Sequence, residues 1–367
     1  MKTAIILGTR PEIIKMAPII KVMASAEMDF FVLHTGQHYS HELDGVFFDA
    51  LGVASPRYNL GVGSGTHAEE TGKMLVGIEK VLREERVTGV LVEGDTNTAL
   101  AGALAAAKLD VKVGHVEAGL RSYDRRMPEE MNRVIIDHVS DYLFAPTNHS
   151  KDNLLREGIT ASSVFVTGNT IVDAIFQNMQ LAEEVDTSSL IGPAPRGYIV
   201  ATAHRAENVD NASRLRGILD GLELISVATG LPIVYPVHPR TKRAMENGRM
   251  TVDSDNVRLV PPVDYLKFLK LEMRAKLVVT DSGGVQEEAC VLGVPCVTIR
   301  DSTERPETLM VGANILAGTN PDTISSKALV MLRERRSWAN PFGPGDAGNV
   351  IVEIWNRALS NRPRMTS

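Results

Sequence analysis

Two acidic residues end apolar runs that have the composition of neighbouring buried strands. Asp95 ends the run GVLVEGD, and Glu117 ends the run DVKVGHVE. A helical crossover of suitable length separates them, so parallel strands would bring both carboxylates to one sheet edge, about 4.8 Å apart. Neighbouring carboxylates split their pKa values, which suits one to accept and the other to donate a proton. The alternative is that Asp95 caps the helix beginning TNTALAG.

A further acidic pair follows Glu117, at the start of the next helical pattern. Pro128 precedes Glu129 and Glu130 in the sequence MPEEMNR. The helix dipole stabilises carboxylates in a first turn, and that role alone explains both residues. Their closeness to Glu117 along the chain makes one of them a candidate third catalytic carboxylate.

Basic residues follow two other apolar runs. Arg10 comes after the run 3–7 in the sequence GTRPE, and His204 and Arg205 come after the run 198–201. Such groups at the carboxyl ends of strands suit an anion that gains charge during a reaction. We expect contacts with a phosphate or a leaving group. The alternatives are a surface arginine in a loop and a structural histidine.

The sequence DSGGVQEEA has the features of a phosphate-binding site. Gly283 and Gly284 allow the backbone to approach a ligand closely, and the following helix begins with unbonded N–H groups. Glu287 and Glu288 lie about one turn later, where one of them could bind ribose hydroxyls. With the charged segment RDSTERPE further along, this half of the chain predicts a site for a nucleoside diphosphate.

These residues need a scaffold in which short buried strands alternate with helices. Apolar runs typical of buried strands fall into two series, at 3–7, 30–34, 90–92, 111–116 and 142–145, and at 198–201, 233–237, 257–260, 277–280 and 296–299. Amphipathic helical patterns lie between them, at 13–24, 69–85, 98–108, 129–139, 171–184, 213–228, 285–292 and 321–334. This alternation predicts an α/β protein with two Rossmann-like domains facing a cleft, and with ligands at the carboxyl ends of parallel strands.

The domain boundaries follow from breaks in this alternation. We expect a first domain at 1–168 that carries the carboxylates, a second at 169–345 that binds the nucleotide, and a C-terminal helical segment at 346–367. The stretch 187–196 is rich in Ser, Gly and Pro and reads as a linker, and another break lies at 168–170. The last helical pattern either caps the second domain or crosses back onto the first.

Composition excludes several classes of protein. The 367 residues include 39 Lys and Arg and 45 Asp and Glu, a net charge of −6, which disfavours nucleic acid and anionic membranes as partners. Cys290 and Cys296 are too few for a disulfide framework, and no signal-peptide or membrane-spanning pattern is present, so we expect a cytoplasmic protein. Zinc-type ligand spacing and a dinucleotide fingerprint are both missing, so we expect neither a metal nor a nicotinamide cofactor.

Together, the motifs resemble those of the non-hydrolysing UDP-N-acetylglucosamine 2-epimerase family over essentially the whole chain. The matching segments are LGTRPEIIK, GDT, HVEAGLR, PEEMNR, AHRAEN, DSGGVQEEA and TERPE. The resemblance implies the GT-B type fold, which has two Rossmann-like domains around a cleft. It also implies a homodimer that needs neither metal nor nicotinamide.

The resemblance assigns roles to individual residues. It implies that Asp95, Glu117 and Glu129 are the acid/base carboxylates and that His204 lies near the diphosphate. The UDP site would include Arg10, Ser282, Gly283, Gly284 and Glu288, with Arg305 on the diphosphate side. Lys15 also falls on a functional position of the family, although a lysine on a helix surface is the simpler interpretation. We include Lys15 and Arg205 among the substrate-binding candidates.

Two segments depart from the family pattern. The usual GHRRE reads AHRAE at 203–207, so one basic residue is missing. The segment 35–53 is longer than the QHREMLDQ-type segment through which many bacterial members partly bind a second, activating substrate molecule. It also resembles the branch acting on UDP-2,3-diacetamido-2,3-dideoxyglucuronate. We therefore expect kinetics without substrate activation, and the UDP moiety is more firmly indicated than the sugar.

The activity that the resemblance implies is reversible epimerisation of UDP-GlcNAc to UDP-ManNAc at C2. UDP would leave together with the C2 proton, and it would re-add to the glycal intermediate after reprotonation on the other face. The alternatives are a 2-epimerase of UDP-2,3-diacetamido-2,3-dideoxyglucuronate, a GT-B glycosyltransferase, and a nucleotide-sugar sensor without turnover. The expected partners are the UDP-sugar and UDP.

Overall fold

The chain folds into two compact α/β units. The computed structural model describes residues 1–36, 48, 51–194, 196–333 and 337–360. The first unit comprises Met1–Ala174 and Phe342–Ser367, and the second comprises Ile175–Pro341. The chain passes from the first unit to the second after Ala174 and returns to the first at Phe342.

The first unit is built on a parallel sheet with the strand order β3-β2-β1-β4-β5-β6-β7. The strands are β1 (Thr3–Leu7), β2 (Phe30–His34), β3 (Tyr58–Asn59), β4 (Gly89–Glu93), β5 (Lys112–Val116), β6 (Tyr142–Ala145) and β7 (Val164–Val166). The helices between them are α1 (Arg10–Ser25), α2 (His67–Glu84), α3 (Asn97–Ala107), α4 (Pro128–Val139) and α5 (Asn148–Arg156), with a short 3₁₀ turn at Ala161–Ser163. Helix α6 (Thr170–Glu184) begins in the first unit and ends in the second.

The central strands β1 and β4 are mostly apolar because they are completely buried. Every residue of β1 and of β4 is buried, because helices cover both faces of a parallel sheet. Ala4 and Ile6 of β1 share one core cluster with Val90 and Val92 of β4. The alternation of buried strands and amphipathic helices in the sequence is therefore the pattern of this unit.

The second unit repeats this plan with the strand order β10-β9-β8-β11-β12-β13. Its strands are β8 (Ile199–Thr202), β9 (Ile233–Pro236), β10 (Val257–Val260), β11 (Leu277–Thr280), β12 (Cys296–Thr298) and β13 (Asn314–Leu316). Its helices are α7 (Ser188–Ile191), α8 (Ala206–Val209), α9 (Ala212–Thr229), α10 (Pro239–Gly248), α11 (Tyr265–Arg274), α12 (Gly283–Val291), α13 (Pro306–Met310) and α14 (Pro321–Arg333). All the strand pairs in both sheets are parallel.

Each sheet has one point where the order of its strands reverses. In the first unit this switch lies between β1 and β4, and in the second it lies between β8 and β11. Open parallel sheets bind ligands outside the carboxyl ends of the strands at such a point. The topology alone therefore directs attention to the loops after these four strands.

The C-terminal helix α15 (Ala347–Ser360) packs against α1 in the first unit. Trp355 is fully buried, and its Nε1 donates to the Thr3 hydroxyl at 3.1 Å. Its ring lies over Gly89 and Gly114, where an added Cβ would approach the ring to 2.5 and 3.0 Å. The last helix therefore completes the core of the first unit.

The expected fold class is confirmed, since both units are parallel sheets flanked by helices with Rossmann-like strand order. In the described parts of the chain, no helix is both long and apolar enough to span a membrane.

Candidate active site

Arg10 is positioned by the turn between β1 and α1. It is the first, half-buried residue of α1, after the N-cap Thr9. The Glu12 carboxylate folds back over this turn and accepts hydrogen bonds from the amides of Gly8 and Thr9, at 2.8 and 2.7 Å, and from the Thr96 hydroxyl at 2.6 Å. Burial raises the pKa of Glu12 to about 7 despite these hydrogen bonds. Glu12 thus ties the loops after β1 and β4 together at the switch point.

Asp95 and Glu117 follow adjacent strands, as the sequence predicted. Strands β4 and β5 pair in parallel, so the two residues emerge at the same edge of the sheet. The cap of α3 is Thr96, whose hydroxyl accepts from the amide of Ala99. The Asp95 carboxylate pairs with Arg133. The interpretation of Asp95 as a helix cap is therefore wrong, because the neighbouring threonine fills that position.

Glu117 has a strained backbone. Its φ is +69°, in the left-handed region that non-glycine residues rarely adopt. Such a conformation costs about 1–3 kcal/mol and is found mainly at functional sites. The side chain is almost buried, contacts the ammonium of Lys15, and lies 3.5 Å from Asn169 Nδ2. Strain and a buried ion pair therefore coincide at one of the predicted catalytic carboxylates.

Lys15 does not lie on a helix surface, so that interpretation is wrong. Only 7% of its side chain is exposed, and its Nζ contacts Glu117 and lies 3.5 Å from Glu93 Oε1. Lys15 and Glu12 are one turn apart on the buried face of α1. The carboxylates on the adjacent strands make the burial of this ammonium possible.

The structure distinguishes between Glu129 and Glu130. Glu130 is buried, accepts from the amides of Ser122 and Tyr123 at 2.9 Å, and pairs with Arg133. It therefore fastens the loop after β5 and does not cap its own helix. Glu129 is half-buried in the first turn of α4 and makes no hydrogen bond or ion pair with the described residues.

Glu93 was missed by the sequence analysis. It is the last residue of β4 and is buried, with 4% of its side chain exposed. Burial raises its pKa well above the ordinary value; Lys15 counteracts this, and the charges of Glu117 and Glu12 add to it. The signal in the sequence was an acidic residue in the strand GVLVE, whose other members are all apolar or glycine.

In the second unit, Asp281 holds the residues that follow β8. Its carboxylate accepts hydrogen bonds from the backbone amides of His204 and Arg205, and its Oδ1 lies 3.2 Å from Nδ1 of His204. Burial opposes ionisation of Asp281, but the hydrogen bond and the charge of His204 lower its pKa below the ordinary value. A carboxylate at Nδ1 leaves Nε2 of the partly exposed imidazole for a ligand.

The turn from β11 into α12 has the form of an anion-binding helix start. Ser282 is the N-cap, and its hydroxyl accepts from the amide of Val285. Gly283 and Gly284 are the first two residues of this nine-residue helix. A Cβ on Gly283 would lie 2.7 Å from the Glu304 carboxylate, so a larger residue there would displace a side chain that is paired with Arg205 and Arg300. The amides of this first turn are the groups that bind phosphates in similar folds.

The charged segment before α13 is held by buried ion pairs. Arg305 is the N-cap of α13, and its Nε lies 2.5 Å from Glu287 Oε1. Glu304 pairs with Arg205 and Arg300. Glu287 is thus paired with Arg305, and the neighbouring Glu288 is also buried in α12.

The cysteines, the possible metal ligands and the segment 35–53 remain to be placed. Cys290 and Cys296 are buried free thiols, and burial raises the pKa of Cys290 to about 12, as a core cysteine requires. In the part of the chain that the structure describes, no group of His, Cys, Asp or Glu side chains is arranged to hold a metal ion. Most of the segment 35–53, on which the expected kinetics depend, lies outside the described residues.

Known proteins are similar to this chain over nearly its whole length. Residues 21–356 match the family model of UDP-N-acetylglucosamine 2-epimerase. The UDP-N-acetylglucosamine 2-epimerase of Methanocaldococcus jannaschii is 52% identical over 96% of this chain and 98% of that protein. The UDP-2,3-diacetamido-2,3-dideoxy-D-glucuronate 2-epimerase of Pseudomonas aeruginosa is 42% identical over 96% of this chain and 99% of that protein.

A solved structure of a relative is also similar to the fold of this chain. The crystal structure of the Methanocaldococcus jannaschii UDP-GlcNAc 2-epimerase in complex with UDP-GlcNAc and UDP aligns with a TM-score of 0.93, covering 97% of this chain and 100% of that one. The family model extends through both units and begins after Arg10 and Lys15. The chain belongs to the UDP-N-acetylglucosamine 2-epimerase family.

Proposed function

We propose that the protein interconverts UDP-GlcNAc and UDP-ManNAc by epimerisation at C2. The observation that carries this proposal is the division of chemistry between the two units. Carboxylates follow β4 and β5 in the first unit, whereas an Asp281-bound histidine and a glycine-rich helix start follow β8 and β11 in the second. The first set suits proton exchange and the second suits a diphosphate.

The proposed reaction begins with elimination. A carboxylate takes the C2 proton, the C–H electron pair forms the C1–C2 double bond, and the C1–O bond breaks with its electrons leaving on UDP. UDP then re-adds to C1 of the glycal while an acid returns a proton to the opposite face of C2. We assign the proton transfers to Asp95, Glu117 and Glu129, without choosing which is the base.

The second unit would retain UDP between the two steps. We propose that His204, Arg205 and Arg305 offset the charge of the departing diphosphate, together with the amides of Ser282–Gly284 at the start of α12. Glu288 would bind the ribose. From the first unit, Arg10 would contact the leaving group, and Lys15 would keep Glu117 ionised.

A second candidate substrate is UDP-2,3-diacetamido-2,3-dideoxyglucuronate. The Pseudomonas aeruginosa relative named for this substrate is 42% identical to the chain over nearly its whole length. The higher identity of the Methanocaldococcus jannaschii relative, at 52%, favours UDP-GlcNAc. Both sugars are therefore included in the test.

We further propose a cytoplasmic homodimer. Two free, buried cysteines fit a reducing compartment. Helix α4 exposes two apolar side chains one turn apart, Met131 and Ile135, each 37% accessible. Such a pair on one helix face is suited to cover by a second copy of the chain.

Turnover in D2O tests the proposed function. The protein is incubated with UDP-GlcNAc alone, and C2 is followed by NMR. We expect UDP-ManNAc to appear and deuterium to replace the C2 proton in both sugars. A parallel incubation uses the diacetamido-glucuronate nucleotide. Binding without exchange at C2 of either sugar would instead identify a sensor, and turnover that needs an acceptor would identify a glycosyltransferase.

A further inference from the structure

Three carboxylates and one ammonium are buried together at the switch point of the first unit. Glu12 and Lys15 come from α1, Glu93 ends β4, and Glu117 follows β5. The exposed fraction of each side chain is small, at 7% or less for Lys15, Glu93 and Glu117. Glu12 is occupied by the amides of Gly8 and Thr9, so the charge of Lys15 is divided between the other two carboxylates.

The ammonium of Lys15 lies closer to Glu117 than to Glu93. Its Nζ contacts Glu117 directly, whereas Glu93 Oε1 is 3.5 Å away and receives no hydrogen bond within the described residues. One ammonium can neutralise one carboxylate. A second ionised carboxylate with a buried, unbonded oxygen would be strongly disfavoured.

The surroundings of Glu93 add to this effect. Glu12 on α1, Asp95 beyond β4 and Glu117 beyond β5 all place negative charge near it, and Lys15 is the cation that opposes them. His115 on β5 also lies in this region. Its Nε2 is 2.8 Å from the carbonyl oxygen of Gly94, and its Nδ1 is 2.7 Å from Oδ1 of Asp137 on α4. The histidine is therefore engaged with the backbone and with another carboxylate. Burial and these charges raise the pKa of Glu93 well above its ordinary value.

We propose that Glu93 is a positioning residue that carries a proton at neutral pH and thereby leaves the charge of Lys15 to Glu117. This inference rests on the proposed function, in which Glu117 exchanges protons with C2. Glu93 does not touch the substrate in this scheme. It acts through Lys15, because a neutral carboxyl does not compete for the ammonium and an ionised one does.

The proposal has a consequence at alkaline pH. As pH rises through the point at which Glu93 loses its proton, the new carboxylate draws Lys15 away from Glu117. The Lys15–Glu117 pair weakens, and kcat falls. Glutamine at position 93 has nearly the same shape but never ionises, so it should keep Lys15 with Glu117 at higher pH.

The test compares Glu93→Gln with wild type by full pH profiles of kcat and KM for the C2 exchange. We expect the alkaline fall of kcat to move upward by at least about one pH unit, because a titrating group has been removed. We expect kcat at neutral pH to fall by less than about tenfold and KM to change less than kcat. Glu85→Gln is the matched control, since Glu85 pairs with Lys2 at 2.8 Å near the opposite end of the same sheet. Its profile should follow wild type.

Infrared spectroscopy supplies a second readout that does not depend on turnover. Wild type at neutral pH should show the C=O stretch of a buried protonated carboxyl that Glu93→Gln lacks. An unmoved alkaline fall in a folded Glu93→Gln, or no such band in wild type, would overturn the proposal. If wild type itself fails to exchange C2, the proposed function fails, while the infrared band still reports separately on the proton of Glu93.

Discussion

At the scale of single residues, the first unit concentrates features that cost stability around its carboxylates. Glu117 combines a left-handed backbone with a buried ion pair to Lys15, and the buried ionisable group of Glu93 lies next to Lys15. A well-packed apolar cluster would be at least as stable. We attribute this cost in stability to the proposed proton transfer, which requires carboxylates that are held at fixed positions.

Removing the titrating oxygens tests the three proposed catalytic carboxylates. We expect Asp95→Asn, Glu117→Gln and Glu129→Gln each to lower kcat by about 10²–10⁴, the usual worth of a positioned acid or base. UDP affinity, measured by calorimetry, should stay within a few fold, because the diphosphate is assigned to the second unit.

Asp141→Asn is the control for these variants. Asp141 pairs with Lys112 at 2.6 Å just before β6, and it carries no proposed role. Its kcat should match wild type. A carboxylate whose amide variant turns over at the wild-type rate would be removed from the mechanism.

Sequence reasoning found the residues whose position follows from topology. Asp95 and Glu117 could be predicted because parallel strands end at a common edge. The contact between Lys15 and Glu117 could not, since it joins residues 102 positions apart and depends on how α1 packs on the sheet. Lys15 was a candidate only through the family resemblance. The distinction between Glu129 and Glu130 likewise depends on a loop whose path the sequence does not give.

At the scale of elements, the sequence predicted ten of the thirteen described strands and missed three edge strands. The edge strands β3, β7 and β13 have only two or three residues each, and several of these are partly exposed, so their composition is not distinctive. Helix α5 was missed because its sequence, NHSKDNLLR, contains a single apolar pair. The central strands could be predicted because burial on both faces gives them continuous apolar sequences.

The C-terminal helix offers a test of how the first unit is held together. We expect Trp355→Ala to lower the free energy of unfolding by about 3–5 kcal/mol, as for other fully buried large side chains. The loss combines a cavity over Gly89 and Gly114 with a broken hydrogen bond to Thr3. Urea denaturation followed by circular dichroism measures it.

The same helix provides the control for this measurement. Arg357 is exposed on α15 and pairs with Glu353 one turn earlier. Arg357→Ala should leave the denaturation midpoint nearly unchanged, because exposed ion pairs contribute little. Equal effects of the two substitutions would mean that α15 is not part of the folded core.

At the scale of the whole molecule, one strand order is used for two kinds of chemistry. Both sheets reverse their order once, and in both some candidate residues follow the strands beside the reversal: Arg10 and Asp95 in the first unit, and His204 and Ser282–Gly284 in the second. The first unit provides carboxylates there, and the second provides hydrogen-bond donors and positive charge. The fold fixes where a ligand binds, and the side chains at that edge determine what is done to it.

The oligomeric state is the last property to test. The chain has a mass of 39.9 kDa, and light scattering should report about twice that mass for the proposed homodimer. Ile135→Glu should shift the mass to that of a monomer, because it places a charge in the apolar pair that Met131 and Ile135 form on α4. Val76→Glu is the control, since Val76 on α2 is 74% exposed and has no other exposed large apolar residue one turn away on the same helix. A monomeric wild type would contradict the homodimer, and a monomer produced by Val76→Glu alone would move the interface to α2.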